Sequence, residues 1–209
     1  MKLLDQFIDI IRNAIKALMS ALAITLNKAT GGKLSADVIT LIGLFSHIPI
    51  AWLIAIQKNY LAAGLLVFFG LFDSVDGALA RAQKKSSSRG MLLDASTDRI
   101  KEVILYIGAS SALVASGYAS WAGWAVAACG ASLVVSYVKA KGETAISDKK
   151  LSPSDINRIF ADGIMRYEIR MFVLIVGLLT NTLRYALVFI ALTSALTAIG
   201  RFHKISQKL

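Results

Sequence analysis

The chain has 209 residues, 56% of them hydrophobic and 17% charged, with a mean hydropathy of +0.63 and a formal net charge of +10. A soluble domain of this length rarely carries so much apolar surface, so the composition points to a polytopic membrane protein. A single cysteine, Cys129, excludes an internal disulfide framework, and the basic excess fits lysines and arginines gathered on one side of a bilayer, with an anionic substrate as a further use for part of it.

The start, Met1-Lys-Leu-Leu-Asp-Gln-Phe-Ile-Asp9, has acids where a signal peptide would have its apolar core. Within residues 1–20, Leu4, Phe7, Ile8, Ile11, Ala14, Ile15 and Leu18 share one helical face, and Asp5, Asp9, Arg12, Asn13 and Lys16 fall mainly on the other. That pattern predicts an amphipathic helix lying in the membrane interface, broken at Asn27 to Gly32. Six apolar segments follow, at roughly 36–57, 60–81, 91–118, 120–141, 163–182 and 184–203, each near the ~20 residues that span hydrocarbon. The polar stretch from Gly142 to Ala161 contains Ser152-Pro-Ser-Asp155 and reads as a loop with a short helix capped near Ser152 or Ser154. The expected fold is therefore all-α. It is a single domain over 1–209 with six transmembrane helices within about 36–203 and an N-terminal amphipathic interfacial helix.

Basic residues set the orientation. With a cytoplasmic N-terminus, the cytoplasmic side holds Lys28, Lys33, Arg81, Lys84, Lys85, Arg89, Lys139, Lys141, Arg158, Arg201 and Lys204 among others, and the opposite side only Lys58 and Arg184. Both termini are then expected to be cytoplasmic, in the cell (plasma or inner) membrane.

One stretch carries most of the chemistry: Asp73-Ser-Val-Asp76-Gly77-Ala-Leu-Ala80-Arg81, then eight residues, then Gly90-Met-Leu-Leu-Asp94-Ala-Ser-Thr-Asp98. Asp73 and Asp76 are three apart and Asp94 and Asp98 four apart, so each pair shares a helix face. Ionised carboxylates at the end of an apolar run are costly without a compensating cation. Oxygen-only ligands favour Mg²⁺ or Mn²⁺ over zinc, and two facing helices would set four carboxylates around one or two ions. Gly77, Ala80 and Gly90 remove bulk beside the acids, and Arg81 could meet a phosphate. Simple capping, or ion pairs with Arg81, Arg99 and Lys101, is the plainer account of a single aspartate. Four in register argue against it.

The string resembles the signature of the CDP-alcohol phosphotransferase (phosphatidyltransferase) family, Asp-x-x-Asp-Gly-x-x-Ala-Arg, eight residues, Gly-x-x-x-Asp-x-x-x-Asp, with every position and spacing matched. The stretch Leu34-Ser-Ala-Asp-Val-Ile-Thr40-Leu-Ile-Gly43 is also similar, with Ala36-Asp37 where many members have Pro-Asn. The resemblance implies an enzyme that moves a phosphatidyl-type group from a CDP-linked lipid, such as CDP-diacylglycerol, to an alcohol and releases CMP. It implies metal ligation by Asp73, Asp76, Asp94 and Asp98, two Mg²⁺ or Mn²⁺ ions, and Asp98 as general base. Thr40, Gly77, Ala80, Arg81 and Gly90 would accommodate the CDP group. A homodimer among membrane lipids is implied, with no nucleic-acid partner.

A basic cluster bears on the acceptor. Ser136-Tyr137-Val-Lys139-Ala-Lys141-Gly-Glu143 ends the fourth segment, Arg166 and Arg170 open the fifth on one helical face, and Arg201 ends the sixth. Interfacial anchoring explains Lys141, Lys149 and Lys150 well. Several cations on one pocket predict an anionic acceptor. The Ser-Tyr-x-Lys-Ala string resembles bacterial phosphatidylinositol phosphate synthases and their archaeal ether-lipid counterparts. That likeness implies inositol 1-phosphate or another polyol phosphate as acceptor, held by Ser136, Lys139, Arg170 and Arg201, with Arg166 as an option. Lys141-Gly142 and the spacing of Arg166-Tyr-Glu-Ile-Arg170 depart from the usual pattern. Two other readings stay open: a phosphatidylglycerophosphate synthase using glycerol 3-phosphate, and a cation transporter using the acids as an ion path. His47 has no histidine beside it and reads as a packed residue.

Overall fold

A computed structural model describes residues 2–146 and 165–207, excepting the side chains of 2–13, 15, 16, 71–73 and 146. Among the described residues there is no strand. The helices are α1 (Lys2–Ala29), α2 (Ala36–Ala55), α3 (Asn59–Ala82), α4 (Ser88–Ala115), a 3₁₀ turn (Ala119–Trp121), α5 (Ala122–Ile146), α6 (Tyr167–Leu179) and α7 (Leu183–Ser206).

Few prolines are needed because the backbone itself closes the helix ends. After α1, Gly32 N–H donates to Asn27 O at 2.8 Å and Gly31 N–H to Lys28 O at 3.1 Å. Gly31 takes φ +58°, the left-handed conformation this closing motif requires. The ends of α2 and α3 close the same way through Gln57 (φ 62°) and Lys84 (φ 55°), which keeps the turns short. At the N-termini, Ser35 Oγ accepts from Val38 N–H at 3.3 Å and Ser87 Oγ from Gly90 N–H at 3.1 Å, capping α2 and α4.

The protein is an all-α, multi-pass membrane protein. On length and apolarity, four described stretches can cross a membrane: Ala36–Ala55, Asn59–Ala82, Ala119–Ala145 and Leu183–Ser206. This is fewer than the six expected. The other two segments fall short for different reasons. α4 carries Arg89, Asp94, Asp98, Arg99, Lys101 and Glu102, and α6 has 13 residues. The first helix runs on to Ala29, well past residue 20, and the side chains on which its amphipathic reading rests lie mostly outside the described set. The polar stretch expected to be loop from Gly142 begins as helix, because α5 continues to Ile146. The cap near Ser152 or Ser154 lies outside the described residues.

The chain forms two compact units. The first comprises Met1–Ile50 and Gly64–Lys101. Its core joins Met19 and Ala23 of α1, Ile39 of α2, and Val75, Ala78 and Leu79 of α3, with Leu22, Leu26 and Leu34 packed around them. Gln83 ties the end of α3 to the turn between α1 and α2, donating to Asn27 Oδ1 at 2.9 Å and Leu34 O at 2.8 Å. His47 is buried, and its Nδ1 lies 2.7 Å from Gly43 O, the packed role expected of it.

The second unit comprises Ala51–Ala63 and Glu102–Leu209. Leu105, Ala109, Leu174, Leu178, Leu187 and Ile190 are among its fully buried side chains. Gly108 permits a close crossing of α4 over α2, since a Cβ there would run into the Ala51 backbone. Tyr106 Oη and Ser132 Oγ lie 3.1 Å apart and join α4 to α5 inside the apolar packing.

Candidate active site

The whole aspartate signature belongs to the first unit. Asp73 and Asp76 occupy successive turns near the end of α3, and Asp94 and Asp98 the early turns of α4. Asp76 is 6% exposed. Its Oδ2 accepts from Thr40 Oγ1 at 2.6 Å and its Oδ1 from Gly77 N–H at 2.5 Å. The α2 start is thus tied to the carboxylate by a hydroxyl that also reaches Ala36 O at 3.2 Å. Thr40, grouped by resemblance with the CDP-binding residues, uses its hydroxyl here to orient an aspartate.

Asp94 is exposed and lies within the electrostatic reach of Asp98 and Asp76, with Lys101 and Arg99 offsetting part of that repulsion. Asp94 therefore feels one like charge from its own helix and one from α3. Asp98 is held by cations on its own helix: Lys101 Nζ stands 3.3 Å from Oδ1 and Arg99 Nη2 3.8 Å from Oδ2. Lys101 is completely buried. The ion pairs weighed as the plainer account of the acids are therefore real for Asp98.

Among the described side chains, no three His, Cys, Asp or Glu groups stand together as a metal site, and the side chain of Asp73 is outside that set. The donor chemistry fits a hard divalent ion: carboxylate oxygens, with no thiol or imidazole in the signature. Gly77, Ala80 and Gly90 leave room beside them. A Cβ on Gly77 would stand 3.3 Å from Arg81 Nη1, so the glycine gives the guanidinium its place.

The basic cluster belongs to the second unit. Arg170 is buried and makes a two-pronged ion pair with Glu102 of α4. Its Nη1 also donates to Met165 O at 2.9 Å. Arg201, on α7, is 6% exposed and donates from Nη1 to Val135 O at 3.2 Å, next in chain to Ser136. Arg201 also feels the like charges of Arg170 and Arg166. Ser136 Oγ donates to Ser132 O at 3.3 Å. Lys139 is half-exposed with Glu143 Oε1 at 3.8 Å, and Arg166 is exposed at the start of α6. Arg201 thus shares an electrostatic neighbourhood with Arg166 and with Arg170, whose charge is already matched by Glu102.

Sequence reasoning missed Glu102 and the burial of Lys101. Both are charges inside a predicted apolar segment, which is the signal that could have found them.

The chain is similar to known proteins over most of its length. The family model described as CDP-alcohol phosphatidyltransferase matches residues 33–199. An archaetidylinositol phosphate synthase of Methanothermobacter thermautotrophicus is 27% identical over 207 residues, covering 99% of this chain and 93% of that protein. The archaetidylinositol phosphate synthase of Pyrococcus horikoshii is 28% identical over 153 residues, 73% of each chain. In fold, the chain is similar to the crystal structure of Mycobacterium tuberculosis phosphatidylinositol phosphate synthase with CDP-DAG bound. The TM-score is 0.76 at 23% identity, covering 90% of this chain and 94% of that one. The same mycobacterial enzyme in complex with manganese and citrate gives a TM-score of 0.75 at 24% identity, over 90% of this chain and 88% of that one.

Proposed function

The chain belongs to the CDP-alcohol phosphatidyltransferase family, and we propose that it transfers a phosphatidyl-type group from CDP-diacylglycerol or a related CDP-lipid to inositol 1-phosphate, releasing CMP. The observation that carries this is the complete eight-position signature, held within one compact unit with Asp94 in the field of both Asp76 and Asp98. The similarity to two archaetidylinositol phosphate synthases, and in fold to a synthase crystallised with CDP-DAG, supports the donor and acceptor.

Asp73, Asp76, Asp94 and Asp98 are the residues that would hold Mg²⁺ or Mn²⁺, two ions in this reading; a fold relative crystallised with manganese supports it. Bound there, the metal would neutralise the diphosphate and make CMP a better leaving group. Thr40 keeps the Asp76 carboxylate in position. Gly77, Ala80 and Gly90 admit the CDP group, and Arg81 offers its guanidinium to the diphosphate. Asp98 takes the proton from the acceptor hydroxyl as that oxygen bonds to phosphorus and the bond to CMP breaks. Ser136, Lys139, Arg166, Arg170 and Arg201 hold the acceptor's phosphate. Arg170 has two of its five N–H groups left after Glu102 and Met165.

The same proposal takes the chain as one transmembrane domain with six spans, α4 and α6 completing the four apolar stretches. The termini and the aspartates are cytoplasmic, the α1 start lies in the interface, and the enzyme works as a homodimer. The asymmetric distribution of Lys and Arg supports the orientation. Divalent-metal-dependent CMP release from CDP-diacylglycerol by purified enzyme tests the reaction. No CMP with any polyol phosphate would overturn it.

A further inference from the structure

Arg184 is a cation that the proposed reaction does not use. It opens α7, and its guanidinium carbon lies over three rings: Tyr118 at 4.4 Å, Tyr185 at 4.7 Å and Trp121 at 5.6 Å. Trp121 and Tyr185 themselves meet edge to face at 5.7 Å. No carboxylate pairs with Arg184 among the described residues. The rings fix the guanidinium and attract its charge without neutralising it. Its planar donor edge stays suited to a phosphate.

Tyr185 has a second neighbour. It lines a cavity of about 260 Å³ between α6 and α7, together with Phe172, Val176, Gly177, Ala186 and Phe189. The helices meet closely there, since a Cβ on Gly177 would collide with the Ala186 methyl. Beside that contact the lining is wide and apolar, and Phe172 and Phe189 are largely exposed. Thr182, whose hydroxyl lies 2.7 Å from that of Thr180, lines the same groove.

We propose that this groove and Arg184 form a binding site for one anionic phospholipid, distinct from the donor and acceptor of the reaction. The headgroup phosphate sits on Arg184, and an acyl chain lies along Val176, Tyr185 and Phe189. The cation and the Thr182 hydroxyl stand together at the start of α7, and the apolar groove runs on from them along Tyr185 and Phe189, as the polar headgroup of a phospholipid precedes its acyl chain. Bulk zwitterionic lipid would cover the groove but leave the cation without a net negative partner. A second copy of the chain related by a two-fold axis would bring a second uncompensated Arg184 to the same face.

The experiment uses the intact protein in nanodiscs of phosphatidylcholine containing a minor share of phosphatidylglycerol, with retained lipids counted by native mass spectrometry. The wild type retains phosphatidylglycerol in preference to phosphatidylcholine. Arg184→Gln lowers that preference roughly fivefold, the factor equivalent to about 1 kcal/mol per cation at an anionic lipid. Arg184→Lys keeps most of the preference, and filling the groove with Val176→Trp lowers it. Equal retention of both lipids by the wild type would overturn the proposal. So would equal loss in the Gln and Lys variants, which would make the arginine a structural part of the aromatic cluster. Cross-linking of a cysteine placed at Phe189 to a second copy of the chain would overturn it as well.

Discussion

Arg170 and Glu102 meet in a two-pronged pair, Nε to Oε1 at 2.7 Å and Nη2 to Oε2 at 3.0 Å, with both side chains 1% exposed. The pair joins α6 to α4. Removing one partner leaves a buried charge uncompensated, which costs about 3–5 kcal/mol, whereas replacing both with apolar residues of similar size is often neutral. Arg170→Met and Glu102→Leu are each expected to lower the thermal midpoint of the detergent-solubilised protein, and the double variant to recover most of the loss. An Arg170→Met variant of normal stability, with only a raised acceptor KM, would show that the arginine serves the acceptor alone.

That pair also marks where the sequence stopped being readable. The four aspartates were legible because their cost at the end of an apolar run and their helical spacing point the same way. The charge that Asp94 feels from Asp98 follows from that spacing, whereas the one it feels from Asp76 of α3 does not. The pairing of Glu102 with Arg170 was not legible, because the two lie 68 residues apart; only the presence of a charge inside an apolar segment could be noticed locally. The same charges make α4 less apolar than a typical span, while α6 falls short by its length of 13 residues, so six expected spans become four. Thr40 was noticed for its resemblance, but its bond to Asp76 depends on α2 packing against α3, which no local pattern reveals.

Thr40 offers a sharp test of how the metal ligands are oriented. Its hydroxyl lies 2.6 Å from Asp76 Oδ2. Partners that orient a metal ligand typically contribute about 10–100-fold to metal affinity. Thr40→Val, which keeps the shape and loses the donor, is expected to weaken Mn²⁺ binding about tenfold in a paramagnetic-resonance titration. Thr40→Ser is expected to keep most of it. Unchanged Mn²⁺ affinity in Thr40→Val would mean that the bond does not serve the metal.

Asp98 separates binding from chemistry. Asp98→Asn is expected to abolish transfer while binding of CDP-diacylglycerol stays largely intact. The pair of measurements is single-turnover CMP formation and equilibrium donor binding. Near-normal turnover in the variant would end the role of Asp98 as base.

Arg201 should act on one substrate only. Its guanidinium reaches Val135 O at 3.2 Å, beside Ser136, and shares a field with Arg166 and Arg170. Arg201→Ala is expected to raise the acceptor KM more than the donor KM. Equal increases in both would point to a general structural defect and against a hold on the acceptor's phosphate.

The most direct measurement of the central claim is CMP release by the purified protein with CDP-diacylglycerol and Mg²⁺, offered inositol 1-phosphate and glycerol 3-phosphate together and the lipid products separated. CMP release that a chelator stops is expected, with a product dominated by the inositol phosphate lipid. A product dominated by phosphatidylglycerophosphate would contradict the acceptor assignment, and no metal-dependent CMP with either acceptor would contradict the reaction itself.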